Sequence, residues 1–267
     1  MQRAQITSRQ NPRVKHAVAL RQARARRMRR QFVIDGAREI ARAQAAGVRL
    51  LEVFVCEPLC RSADSRAALD AVADSGATVY DVTDKVFEKM SYGNRAEGVL
   101  AVAETPAAEL SDIELPPCPL VAVLEGVEKP GNVGAVLRSA DAAGVSAVVI
   151  ADGGTDLHNP NTIRASLGTV FSIPCCAAPA DELRGWLSKN GMQIVVARPD
   201  AKLIYSEVDY TQPCAFVLGS EAAGVSSAWT GEDVVGVNIP MQGVADSLNL
   251  SVAAAVLFFE AWRQRNR

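Results

Sequence analysis

Short, nearly unbroken apolar runs recur through the second half of the chain: "LVAVL" (120–124), "AVVIA" (147–151), "QIVVA" (193–197), "AFVLG" (215–219) and "VVGVNI" (234–239). They lack the strict alternation of a half-solvated strand, so they predict strands covered on both faces, as in a parallel sheet flanked by helices. Helical spacing appears between them. In "PGNVGAVLRSADAAG" (130–144) Val133, Val136, Leu137 and Ala140 share one face, with Asn132 as the expected cap and Gly144 as the stop. The last helix is expected from about Ser247 to Arg263, with Leu248, Val252, Ala255, Phe259 and Trp262 giving an apolar surface wider than one stripe.

The front half alternates as well. Strands are expected at "FVIDG", "LEVFVCE", "ATVYDV" and "GVLAVAE". Helices are expected over Ile40–Ala46, around Arg66–Ser75 and near Val86–Met90, which together predict a small α/β domain. Ahead of them "NPRVKHAVALRQARARRMRRQ" predicts a single basic helix opened by Asn11 and Pro12. The stretch 104–119 has four prolines and no period, which marks a linker. The organisation expected is therefore a first domain over 1–106, a linker over 107–119 and a second domain over 120–267.

Charge sharpens this picture. The chain has a net charge of −2, yet residues 1–34 hold ten Lys or Arg and no acid, leaving about −12 on the remainder. A basic patch confined to one end fits contact with a polyanion, and Arg9, Arg13, Lys15, Arg24 and Arg27 are the candidates, with Arg164 further along. Six scattered cysteines without a C-x-x-C pair, and only two histidines, give no support to a zinc site, so no metal is expected. No apolar run reaches membrane-spanning length and no secretory signal is visible, so a cytoplasmic protein with reduced thiols is expected.

Several loops then follow strands in succession. "LEGVEKPGNVGAVLRSADAAG" (124–144) runs from a strand through glycines into a helix that carries Arg138 about 140° from Val133, away from the apolar face. "NPNTIRASLGTVFSIP" (159–174), "FVLGSEAAGVS" (216–226) and "VNIPMQGVADSLNLSVAAAV" (237–256) supply further glycine-rich or polar loops. Loops at the carboxyl ends of strands in one open sheet are where such folds bind ligands. A nicotinamide-dependent enzyme using Asp152 at a strand end is disfavoured, because G-x-G-x-x-G is missing and the glycine loop lies in mid-chain.

Three of these stretches, "PGNVGAVLRSADAAG", "FVLGSEAAGVS" and "IPMQGVADSLNLSVAAA", resemble in order, spacing and C-terminal position the motifs of the SpoU (TrmH-like) family of RNA ribose 2′-O-methyltransferases in the SPOUT superfamily. The front half resembles the small L30e-like RNA-binding domain that precedes many members, through "ITSRQNPRVKH", "FVIDGAREI" and "EGVLAVAE". The likeness is nearest in style to members acting on 23S ribosomal RNA. It implies an α/β fold whose C-terminal parallel sheet is threaded into a deep trefoil knot, pairing into a homodimer through the knotted region, and S-adenosyl-L-methionine as cofactor. By motif matching the cofactor site takes Leu218, Gly219 and Glu221, then Ile239, Pro240 and Met241, then Ser247, Leu248 and Asn249. Glu221 is expected to hold loop architecture.

The resemblance also implies roles in catalysis. Arg138 would activate the ribose 2′-hydroxyl, with Asn132 shaping the loop and Ser247 and Asn249 as polar neighbours. An arginine above pKa ~12 is a poor base, so a cationic clamp on the phosphate beside the target ribose is preferred to a proton acceptor. Lys129 stands where the family often has an acid, and Ala143 where a larger apolar residue is common; both bear on the target nucleotide. A tRNA substrate, or an RNA-binding member without catalysis, are the alternatives.

Overall fold

A computed structural model of the chain describes residues 4–73, 75–92, 97–153, 155–220 and 223–266. The chain forms two compact units. One gathers the chain up to Ala107 together with His158–Ser172; the other comprises Ala108–Leu157 and the chain from Ile173 onward.

The first unit is built on five strands: β1 (Ala4–Ile6), β2 (Gln31–Asp35), β3 (Leu50–Val55), β4 (Thr78–Val82) and β5 (Val99–Glu104). They lie in the order β1-β4-β3-β5-β2. The first three are mutually parallel, while β5 runs antiparallel to both β3 and β2. Helices α3 (Ala37–Ala45), α4 (Ala63–Ala73) and α5 (Asp84–Met90) follow the expected sites.

The basic arm departs from the single helix expected. It divides into α1 (Pro12–Ala19) and α2 (Ala23–Arg29). The break is held by Arg26, only 3% exposed, whose Nη1 donates to the carbonyls of Leu20 and Arg21 at 2.9 and 2.8 Å. These are acceptors that the end of α1 leaves without intrahelical donors, and a buried guanidinium satisfies them.

The segment 158–172, placed in the second domain by composition, is a further departure. It belongs to the first unit, although the chain reaches it only after entering the second. Phe32 on β2 meets the His158 ring at 4.5 Å and the Phe171 ring at 5.9 Å.

The second unit contains β6 (Leu120–Glu125), α6 (Pro130–Ala143) and β7 (Ala147–Ala151). Next in sequence is α7 (Pro160–Ala165), which belongs to the first unit, where it packs on β2. The chain re-enters the second unit through β8 (Cys175–Ala178), α8 (Ala180–Lys189), β9 (Gln193–Ala197), β10 (Leu203–Ile204), β11 (Cys214–Gly219), β12 (Val234–Asn238) and α9 (Leu250–Arg265). The sheet order is β10-β12-β9-β11-β6-β7-β8, and every pairing is parallel. Every residue of β6 and β7 is buried, whereas the edge strands β8 and β10 alternate or open to solvent. That gradient is what unbroken apolar runs at the centre of a doubly covered sheet require.

The proline-rich stretch is less free than a linker. Leu110 sits in the core of the second unit, with Ile113 and Leu115 packed against it. At the far end of α9, Arg265 donates to the carbonyls of Tyr210, Cys118, Pro119 and Gln212, at 2.7, 3.1, 3.2 and 2.8 Å. This pins the C-terminus of α9 beside the starts of β6 and β11 and leaves its N-terminus at the strands' carboxyl ends, because β6 and β11 run parallel.

Candidate functional site

The carboxyl ends of β9, β11 and β12 open into an apolar cleft. Its wall carries Leu218 and Gly219 from β11, Ile239 and Met241 after β12, and Ser247 and Leu248 before α9, six of the residues expected to hold a cofactor. Pro240 lies on this loop but is exposed and is absent from the wall, Asn249 is likewise absent from it, and Glu221 falls outside the described residues. Pro199, Val237, Leu250 and Ala253 complete the apolar surface. Sequence patterning did not single out the turn after β9, where Arg198 and Pro199 lie, because it carries neither glycines nor a motif.

The loop after β11 is folded by two devices. At Gly219 the chain doubles back so closely that a Cβ there would overlap the carbonyl of Gly224, so no larger residue fits without moving backbone. Gly224 itself, at φ +66°, takes the left-handed conformation that lets Ser220 and Gly224 bridge. The buried Glu125 at the end of β6 then ties the loop down. Its carboxylate accepts from the Ser226 N–H and hydroxyl, both at 2.7 Å, and from the Trp229 indole N–H at 2.9 Å. Three donors around one buried carboxylate offset its desolvation and fix the loop's position.

A second hollow adjoins the cleft, sharing Ser220, Gly224 and Leu250 with it. It is lined by Gly126, Glu128, Lys129 and Asn132 from the loop after β6 and the start of α6, and by Asp152 after β7. Asn132 is not the cap of α6. Pro130 opens that helix at its first turn, as its fixed φ favours, and Lys129 is the cap. Asn132 thus lies inside the first turn, where its Oδ1 accepts from Asn249 Nδ2 at 3.4 Å.

Asn249, for its part, caps α9 and accepts from the Ser251 N–H at 3.0 Å, so the last helix starts three residues later than its pattern suggested. Two residues 117 positions apart are brought together where cleft and hollow meet. Arg138 lies six residues beyond Asn132 on the exposed side of α6, about 9 Å along the axis. It lines neither cavity. Asp152, the residue a nicotinamide site would have used, accepts instead from the Ala180 N–H at 3.1 Å and serves the start of α8.

The cations expected to meet RNA divide sharply. Arg9 donates to the Lys85 carbonyl at 2.7 Å and to Glu88 at 2.8 Å, and Arg13 pairs with Glu52 while lying 4.9 Å from the Tyr80 ring centroid. Arg164 is half-buried in the first unit, with Nη1 on the Tyr92 carbonyl at 2.9 Å. It faces Asp35, whose carboxyl burial pushes up to about 6 against the lowering effects of the Tyr92 N–H and of Arg164. Lys15, Arg24 and Arg27 are exposed. Among the described residues no group of His, Cys, Asp or Glu is arranged to hold a metal ion, and no helix is long and apolar enough to cross a membrane.

Comparison with known proteins matches this architecture. Residues 119–259 fit the SpoU rRNA Methylase family, and residues 11–101 fit the MRM3-like substrate binding domain. The chain is 31% identical, over 94% of its length and 92% of the relative's, to the 23S rRNA (adenosine(1067)-2′-O)-methyltransferase of Streptomyces laurentii. It is 28% identical to the 23S rRNA (guanosine(2553)-2′-O)-methyltransferase RlmP of Bacillus subtilis, over 96% of this chain and 98% of that one. Among solved structures, the AdoMet-bound rRNA methyltransferase from Sinorhizobium meliloti superposes with a TM-score of 0.87 at 30% identity, covering 97% of each chain. An α/β protein with a parallel C-terminal sheet and an N-terminal substrate-binding domain, this chain belongs to the SpoU rRNA methylase family.

Proposed function

We propose that the protein transfers a methyl group from S-adenosyl-L-methionine to a ribose 2′-hydroxyl of 23S ribosomal RNA. The observation that carries this is the pairing of an apolar cleft at the carboxyl ends of β9, β11 and β12 with a polar hollow at Asn132 and Lys129. Relatives named as 23S rRNA 2′-O-methyltransferases support it along nearly the whole chain.

The cleft suits the cofactor. Leu218, Ile239, Leu248 and Val237 offer faces for a purine, and the loop backbone around them offers amides and carbonyls for its edges. When bound, S-adenosyl-L-methionine supplies an electrophilic methyl group. The residues of the chain do the rest. Asn132 and Asn249 hold the two helix starts together at the junction of cleft and hollow, and so fix where a ribose sits. Ser247, on the cleft wall, is the hydroxyl neighbour of that junction. Arg138 acts as a cation that clamps the phosphate beside the target ribose and stabilises charge growing on the 2′-oxygen.

The finer architecture belongs to the same proposal. The strand order β12-β9-β11-β6, with the loops after β11 and β12 gathered at the N-terminus of α9, supports a trefoil knot. An exposed apolar stripe on α9, with Val252, Phe259 and Trp262 each 46–48% accessible, supports a homodimer through this unit. The first unit is proposed as the L30e-like RNA-binding domain, and an rRNA substrate supports a cytoplasmic location.

The decisive test is Arg138→Ala, assayed with tritiated cofactor on rRNA and by calorimetry with S-adenosylhomocysteine. Transfer is expected to fall by at least about a hundredfold, the scale of losing one charge-stabilising group, while cofactor affinity stays within about twofold. Full transfer by the variant overturns the role of Arg138. Failure of the native chain to bind the cofactor overturns the function.

A further inference from the structure

The cleft beside β11 carries two charged side chains on its wall among the described residues, Arg198 and Asp246. Arg198 follows β9 directly, and its backbone N–H donates to the Val237 carbonyl at 2.9 Å. The turn beyond it is held by Asn238, whose Nδ2 donates to the carbonyls of Ala201 and Leu203 at 2.6 and 3.2 Å. The position of this guanidinium is therefore set by the sheet rather than by a free loop.

Its Nε lies 3.4 Å from Asp200 Oδ1, and its side chain is 40% accessible. The two terminal nitrogens have no protein partner among the described residues. A guanidinium steadied on one edge and open on the other presents a planar fork of N–H groups, the arrangement that receives a carboxylate through two parallel hydrogen bonds.

Resting on the methyltransferase reading above, the ligand of this cleft has one anionic group, the α-carboxylate of its amino-acid tail. Asp246 repels that group, and the remaining wall is apolar apart from the hydroxyls of Ser220 and Ser247. We propose that Arg198 anchors the α-carboxylate of the cofactor, so that this residue makes the cleft prefer an intact amino-acid tail over adenine nucleosides that lack its carboxylate.

The test is calorimetry on the full chain with three probes: S-adenosylhomocysteine, its decarboxylated analogue, and 5′-methylthioadenosine. The native protein is expected to bind S-adenosylhomocysteine about ten- to a hundredfold more tightly than the decarboxylated analogue, the range for a paired, charge-assisted contact. Arg198→Gln is expected to lose that preference, binding the two equally. Arg198→Lys should retain part of it, since a point charge replaces the fork. Binding of 5′-methylthioadenosine, which uses the apolar walls alone, should be unchanged in both variants and reports that the cleft is intact. Equal affinity of the native chain for the first two probes overturns the inference, as does a Gln variant that keeps the native preference or weakens all three probes alike. If the native chain binds none of them, the methyltransferase reading itself fails, and this inference with it.

Discussion

The basic arm and the loop cleft were both conspicuous in the sequence, and the structure treats them in opposite ways. In the arm, residue type overstated availability. Arg26 is buried on the carbonyls that end α1, and Arg21 donates to Lys89, Met90 and Ser91 carbonyls at 2.8, 2.7 and 2.6 Å, closing the end of α5. Arg9 and Arg13 are engaged by Glu88 and Glu52. Four of the ten cations that read as a polyanion-binding run are thus committed to partners within the small domain. In the cleft, residue type understated organisation: a glycine, a buried glutamate and an asparagine cap set the loop shapes, and few charges are involved. A cation's count says how much charge is present; its partners say whether that charge can be offered to a ligand.

The largest effect expected from this contrast is Gly219→Ala. The added methyl would overlap the Gly224 carbonyl, so the loop must shift. Affinity for S-adenosylhomocysteine should fall by at least about a hundredfold, with stability lowered by roughly 1–3 kcal/mol, the scale of overpacking. Calorimetry and chemical denaturation read the two effects, and native-like affinity would show that the loop tolerates a side chain. Glu125→Gln comes next. It leaves one carbonyl oxygen where a carboxylate met three donors, and should cost about 2–3 kcal/mol in urea denaturation.

Within the arm, two substitutions set the internal cation against the exposed ones. Arg26→Ala should destabilise the protein by about 1–3 kcal/mol, because buried carbonyls lose their donor, and should leave the salt dependence of RNA binding unchanged. Arg24→Ala and Arg27→Ala should be nearly neutral for stability, yet each should lower the slope of log affinity against log salt by about 1. A slope change for Arg26→Ala, or none for the exposed pair, breaks the division.

The smallest effect is a pH dependence. The folded Asp35 carboxyl titrates at about 6, above its ordinary value near 3.8, because burial outweighs the Tyr92 N–H and Arg164. The native state therefore holds this proton more tightly than the unfolded chain. Its contribution is present below about pH 4 and is lost as pH rises through about 6. Asp35→Asn should flatten that part of the stability profile measured by thermal unfolding.

Much of the fold was legible because strands and helices are written in local patterns. The five apolar runs of the second half became β6, β7, β9, β11 and β12, and their unbroken character specified a doubly covered parallel sheet. The edge strands β8 and β10 were not legible: "CCAA" and "LI" are too short and too mixed to show a period. Six cleft residues were identifiable from motif spacing. Arg198 was not, since a lone arginine after a strand is indistinguishable in sequence from a solvated one.

What the sequence determined by itself was the succession of elements, the positions of the loops and the family they belong to, all of which rest on residues close together in the chain. What only the tertiary structure decided was partnership. It brought Asn132 to Asn249 across 117 positions, closed Glu125 onto Ser226 and Trp229 across about a hundred, and moved the segment 158–172 into the first unit. It also separated the arginines that hold the fold from those left exposed to solvent. Hydrogen-bond donors and acceptors carry no record in sequence of which distant group will satisfy them, and burial makes leaving them unsatisfied too costly for the choice to remain open.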